Sequence, residues 1–189
     1  MAEPTLEENK TYWKWAFASI CFRAINSTLK HLKKNPSPDE DFGHVIVAGI
    51  IATYAKPFTK CHGVGNLDHR IIPQEHIKTH NTIMELRHKV IAHLDALNFQ
   101  ADDPTFGNIN RVIIIKAKTG ECDFSVLLPS TNFIGNLPIQ DLCSKLLLKA
   151  DYHLRRFELK YTYKPELRPG KYLLNIDPNE PRAFVPQKN

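Results

Sequence analysis

Glu85-Leu86-Arg87-His88-Lys89-Val90-Ile91-Ala92-His93-Leu94-Asp95 is the stretch that decides how the rest of the chain reads. Its apolar residues, Leu86, Val90, Ile91 and Leu94, recur at the spacing of one helix face, with no Gly or Pro among them. Ile77 and Ile83 extend the stripe upstream. Pro73, followed by Gln74 and Glu75, suits a first helical turn. The pattern predicts a helix over 73–97. Two of its polar residues have complementary chemistry: Arg87 stays charged and suits phosphate, and His93 can exchange a proton near neutral pH. Together they are a minimal set for binding or cleaving a phosphodiester without a metal.

Helical geometry limits that idea. Six residues at about 100° each set the two side chains roughly 120° apart around the axis and about 9 Å apart along it. One helix therefore does not bring them together, whereas a two-fold dimer that apposes two copies of the helix can. The bland alternative is a solvated Arg87 and a His93 that caps the helix end, where cations are favoured. Arg70 and His76 repeat the spacing across Pro73, which shows how readily it arises.

Working outward, Trp13, Phe17, Ile20, Ala24 and Leu32 recur at helical spacing and predict a first helix over 5–34, ended by Asn35-Pro36-Ser37-Pro38. Asp39, Glu40 and Asp41 load the first turn of a second helix, 39–54, which Lys56-Pro57 stops. Residues 59–72 and 98–109 read as loops. The period then changes. Arg111–Lys118, with Val112-Ile113-Ile114-Ile115, reads as a strand, and Thr119-Gly120 turns it back into a second strand over Cys122–Leu128. Leu142, Leu146, Leu147, Ala150, Leu154 and Phe157 predict a last helix over 138–160. The expected fold class is mainly α: a bundle of four long helices with a β-hairpin insert at about 110–128. Residues 1–160 would form the helical domain, and 161–189, with five prolines, an extended C-terminal tail.

At 189 residues the chain fits one domain and is long enough to bury a core. Its 42% hydrophobic and 24% charged residues belong to an ordinary globular protein rather than a disordered one. A net charge of +5 is compatible with nucleic acid without demanding it. The longest apolar runs, Val45–Ala55 and Val112–Ile115, are too short to span a bilayer, so no membrane association is expected. Met1-Ala2-Glu3-Pro4 is acidic and polar, unlike a signal peptide. Cys21, Cys61, Cys122 and Cys143 are scattered with no C-x-x-C, and read as reduced thiols of a cytoplasmic protein.

Leu86 to Asp95 resembles the signature of the HEPN superfamily, an Arg and a His four to six residues apart with a polar residue right after the Arg. The Ala92-His93-Leu94-Asp95 ending is most similar to a bacterial abortive-infection branch. Tyr54-Ala55-Lys56-Pro57-Phe58 is similar to a Tyr-Ala-Arg-Pro-Phe element upstream in that branch, with Lys56 in place of the Arg. The interval between the two elements, and His80 between them, fit as well. The resemblance spans roughly residues 5–160, though its specific motifs occupy only about 54–58 and 80–95; the hairpin and tail are not part of it. It implies a HEPN-like helical bundle that dimerises, with the Arg–His helices meeting at a cleft. It also implies a metal-independent RNA endonuclease of a prokaryotic defence or toxin–antitoxin type, with no cofactor and with an antitoxin protein as a further partner. Arg87 would hold the scissile phosphate, and His93 would act as general acid or base. His88, where many members have Asn or Asp, and Asp95 would support them; Lys89 and His80 are candidate RNA contacts. Some members are inactive, so the alternative is a non-catalytic HEPN-like module for dimerisation, partner binding or nucleotide binding.

Other constellations have two readings each. His76 and His80, four apart, have a spacing that can bind zinc, but no second pair completes a tetrad, so no metal is expected. Lys145, Lys149, Arg155, Arg156 and Lys160 make the last helix basic, as an RNA-phosphate surface or as a solvated face shared with Asp141, Asp151 and Glu158. Trp13, Trp15 and Phe17 read as a base-stacking platform or as core and dimer contacts.

Overall fold

The computed structural model describes residues 4–35, 40–60, 64–88, 113–118, 121–126, 137–161, 172–179 and 183–186. It is mainly helical, with α1 at Leu6–Lys34, α2 at Glu40–Ala55, α3 at Ile77–Leu86 and α4 at Ile139–Tyr161. Among the described residues, no helix is long and apolar enough to cross a membrane. Two strands, β1 at Ile113–Lys118 and β2 at Glu121–Val126, pair antiparallel with Ile113 opposite Val126 and Lys118 opposite Glu121.

α1 begins at a capping box. Thr5 Oγ1 accepts the Glu8 N–H at 3.2 Å, and Glu8 Oε2 accepts the Thr5 N–H at 2.8 Å. The helix ends with Lys33 and Lys34, where cations suit the dipole, before Asn35 leaves helical geometry. α1 and α4 run antiparallel along nearly their whole length. Lys160 and Tyr161 meet Glu8, Phe157 meets Tyr12, His153 meets Trp15, Ser144 meets Asn26 and Gln140 meets Lys33. As the number rises on one helix it falls on the other.

The core lies between these two helices and α2 and α3. Phe22, Ile25, Ile51, Tyr54, Ile83, Leu86, Leu142 and Leu146 are among its fully or almost fully buried side chains. α2 leads into a single tight turn, Lys56–Phe58, which Pro57 starts with its preset φ. The Leu67 N–H returns to Pro57 O at 2.8 Å, folding the following loop back onto it. Gly65, at φ 83°, takes the left-handed conformation that this return requires.

The C-terminal region is not simply extended. β3 at Tyr172–Leu174 pairs antiparallel with β4 at Phe184–Pro186. Asn9, almost fully buried on α1, holds this pair: its Nδ2 donates to Asn175 O at 2.8 Å and to Ala183 O at 3.2 Å. Proline content signalled the lack of helix among the described residues there, and one amide on α1 ties the segment to the body.

Candidate functional site

α3 follows directly on a tight turn at Gln74–His76, so helical geometry begins beside Pro73, where the sequence placed it. Thr79, His80, Thr82, Ile83 and Leu86 are its buried residues. At its end Arg87 keeps right-handed helical angles, φ −57° and ψ −44°, and its N–H reaches both Ile83 O and Met84 O. At Arg87 and His88 the helix widens to π geometry, a form often found where function interrupts a regular helix. The Arg87 side chain is half-buried and makes no ion pair among the described residues; His88 is exposed. His93, with Lys89 and Asp95, lies outside the described residues, so the Arg87–His93 geometry does too.

Earlier on α3, the two segments that carry the resemblance touch at His80. The Tyr54 hydroxyl lies 2.8 Å from His80 Nδ1, and His80 Nε2 lies 2.7 Å from His69 Nδ1. Phe58 packs edge-on against His80, with ring centres 4.8 Å apart, and against His69 at 5.5 Å. Burial, and then the charge of His69, pushes the His80 pKa down to about 4, so this imidazole is neutral at pH 7 and has one donor and one acceptor. Burial pushes the Tyr54 phenol well above its ordinary value, which keeps its proton in place. The arrangement that leaves no proton stranded has Tyr54 O–H donating to Nδ1 and His80 Nε2–H donating to His69. His80, expected as an RNA contact, is corrected by this geometry: it is 3% exposed and both ring nitrogens are engaged. Its role is to fix α3 against the Tyr54–Phe58 element.

His76, the other half of the zinc-spaced pair, is also buried. Its Nε2 lies 2.9 Å from Asp141 Oδ2 at the start of α4. Lys145 bridges Asp141 at 3.1 Å and Glu75 at 2.9 Å, and its ammonium holds both carboxyls below their ordinary values. The Arg70–His76 spacing is separated by these contacts: Arg70 pairs with Asp68, and His76 faces α4. Among the described residues, no three His, Cys, Asp or Glu side chains are grouped as metal ligands.

The basic residues of α4 divide by partner. Lys145 is held by the two carboxylates above, Lys149 donates to Ile71 O at 2.5 Å, and Lys160 pairs with Glu8 at 2.7 Å. Arg155 and Arg156 remain exposed, with no ion pair among the described residues. The aromatic trio on α1 divides as well. Trp15 faces the core and stacks on His153, while Trp13 and Phe17 stack on each other, half-buried, with centres 5.2 Å apart. The sequence carried no signal for His69 or for the Asp141–His76 contact, because both join loop or helix positions far outside any helical period. No protein-family model, no curated protein and no solved structure matches the chain.

Proposed function

We propose that the chain is a metal-independent RNA endonuclease of a prokaryotic defence or toxin–antitoxin type, built as a HEPN-like bundle with a β-hairpin insert and acting as a homodimer. The observation that carries this reading is the Tyr54–His80 hydrogen bond. It joins the only two segments on which the resemblance rests and braces the helix that leads into Arg87. Arg87, half-exposed and without an ion pair among the described residues, suits a scissile phosphate and the charge that develops on it. His93 would act as general acid or base at the 2′-hydroxyl or the leaving 5′-oxygen, with His88 and Asp95 as supporting residues and Lys89 as an RNA contact. The test is cleavage of RNA by the purified chain, with and without EDTA. Wild type is expected to cleave in both, and Arg87→Ala and His93→Ala to lose cleavage by at least a hundredfold. Cleavage unchanged in both variants overturns the assignment.

A second reading is a non-catalytic module for dimerisation or partner binding, including an antitoxin. It is favoured by the outer face of α4, where Leu148, Tyr152 and Leu159 are 70%, 62% and 73% exposed at helical spacing. No cleavage of any RNA by wild type, together with a stable complex lost in Leu148→Asp, would select this reading.

A further inference from the structure

A cleft of about 250 Å³ opens between the N-terminal half of α1 and the C-terminal half of α4. Aromatic rings form its walls. Trp15 and His153 stack with centres 4.3 Å apart and planes 9° from parallel. Tyr12 packs on Phe157 at 4.5 Å, and Phe157 on Tyr161 at 4.7 Å. Two cations, Arg156 and Lys160, stand in the same lining, with one carboxylate, Glu8. Glu8 is occupied within the chain: Lys160 and Tyr161 both donate to its Oε1, at 2.7 and 2.6 Å. Among the described residues Arg156 is therefore the cleft's uncompensated charge, with Arg155 beside it in sequence.

We propose that this cleft binds one nucleotide unit, its base against the Tyr12, Trp15 and Phe157 rings and its phosphate on Arg156. The volume is below that of pockets for drug-sized ligands, which run from about 300 Å³ upward, so it suits a single base and not a dinucleotide. Walls built of apolar aromatic rings suit any base, because every base is flat and has a π-face. An organic cation is repelled by Arg156, and a neutral aromatic leaves the arginine unused. Arg156 has the fork of donors that phosphate oxygens accept. The site lies on α1 and α4, apart from the Arg87 helix, and does not depend on the endonuclease reading.

The ligand's chemistry is shared by a free mononucleotide and by one residue of a single strand, and two titrations of the full chain separate them. One uses adenosine and uridine monophosphates, the other a short 5′-phosphorylated oligonucleotide methylated at every 2′-oxygen, which blocks cleavage. The chain has two tryptophans, so Trp13→Phe leaves Trp15, in the cleft wall, as the sole fluorescent reporter. Binding of the mononucleotide identifies a free-nucleotide site, and binding of the oligonucleotide alone identifies a strand-docking site; either quenches Trp15. Arg156→Ala and Phe157→Leu are each expected to weaken binding by about tenfold. Arg156 is exposed, so its variant keeps the fold, and circular dichroism checks the Phe157 variant. Absence of binding by both ligands, or unchanged binding in both variants, overturns the proposal.

Discussion

The hydroxyl of Tyr54 lies 2.8 Å from Nδ1 of His80, in a core where Tyr54 has no exposed surface and His80 is 3% exposed. One polar contact thus joins the end of α2 to the middle of α3. Removing it leaves a buried imidazole nitrogen without a partner, and that desolvation outweighs the loss of the bond itself. Tyr54→Phe should destabilise the chain by about 1–3 kcal/mol, read from urea unfolding with an unchanged slope. A variant as stable as wild type would mean that the contact contributes nothing to holding α3.

The same imidazole makes stability depend on pH. Its pKa lies at about 4 in the folded chain against an ordinary 6.5, so between those values the unfolded chain binds a proton that the native chain does not. Stability is then complete above pH 6.5 and falls as the pH drops toward 4, by up to roughly 3 kcal/mol. Urea midpoints compared at pH 7 and at about 4.5 measure the loss. His80→Gln should flatten the difference, and a wild-type midpoint that does not move would refute the shift.

Glu8 acts in a lower window. Lys160, then Tyr161 and the Thr5 amide, hold its pKa at about 2 against an ordinary 4.5. Its contribution is present above pH 4.5 and is lost as the pH falls toward 2. Glu8→Gln keeps an acceptor for the Thr5 amide but loses the charge; Glu8→Ala loses both. The alanine variant should cost about 1 kcal/mol at pH 7 and the glutamine variant less, since the carboxylate is a third exposed and solvent screens the pair. Thermal melts of the two variants at pH 7 and pH 3 test the order.

Asn9 should control the C-terminal strands without controlling the core. Its Nδ2 donates to Asn175 O and Ala183 O, and the Asn175 N–H itself donates to Ala183 O at 2.9 Å. Asn9→Ala should speed hydrogen exchange at the Asn175 amide by about tenfold or more, while the amides of α1 beyond Ala18 exchange as before. Equal acceleration throughout α1 would instead make Asn9 a residue of the main core.

What the sequence made legible follows from the range of its signals. Periodic apolar residues, with Asn35-Pro36 and Lys56-Pro57 as stops, predicted helices over 5–34, 39–54 and 138–160, and the observed helices differ from these by at most one residue at each end. Burial of a repeating stripe is a local property, so it can be read locally. The polar contacts are not periodic. Asn9 meets Asn175 across 166 positions, and His76 meets Asp141 across 65; nothing in their local sequence distinguishes them from solvated residues. Trp15 and Trp13 differ by two positions, yet only the rotation of the helix sends one to the core and the other to its rim. Arg87 was legible as chemistry, and the structure adds its half-buried place at the end of α3, while His93 lies outside the described residues.

If a regular helix ran from Arg87 to His93, the two side chains of one chain would sit about 120° apart, so the proposed endonuclease is expected to bring the two residues together across a dimer. Mixing inactive variants tests that directly. Arg87→Ala supplies only His93, and His93→Ala supplies only Arg87. Random pairing makes half the dimers hybrid, and each hybrid has one composite site intact and one with neither group. Unfolding and refolding the two together should therefore restore about a quarter of wild-type cleavage. Arg87 is half-exposed and makes no ion pair among the described residues, so Arg87→Ala should lose less than about 0.5 kcal/mol of stability and enter hybrids normally. No recovery from a mixture shown by mass to contain hybrids would place both groups of any active site within one chain. Recovery near a quarter would locate each site between two.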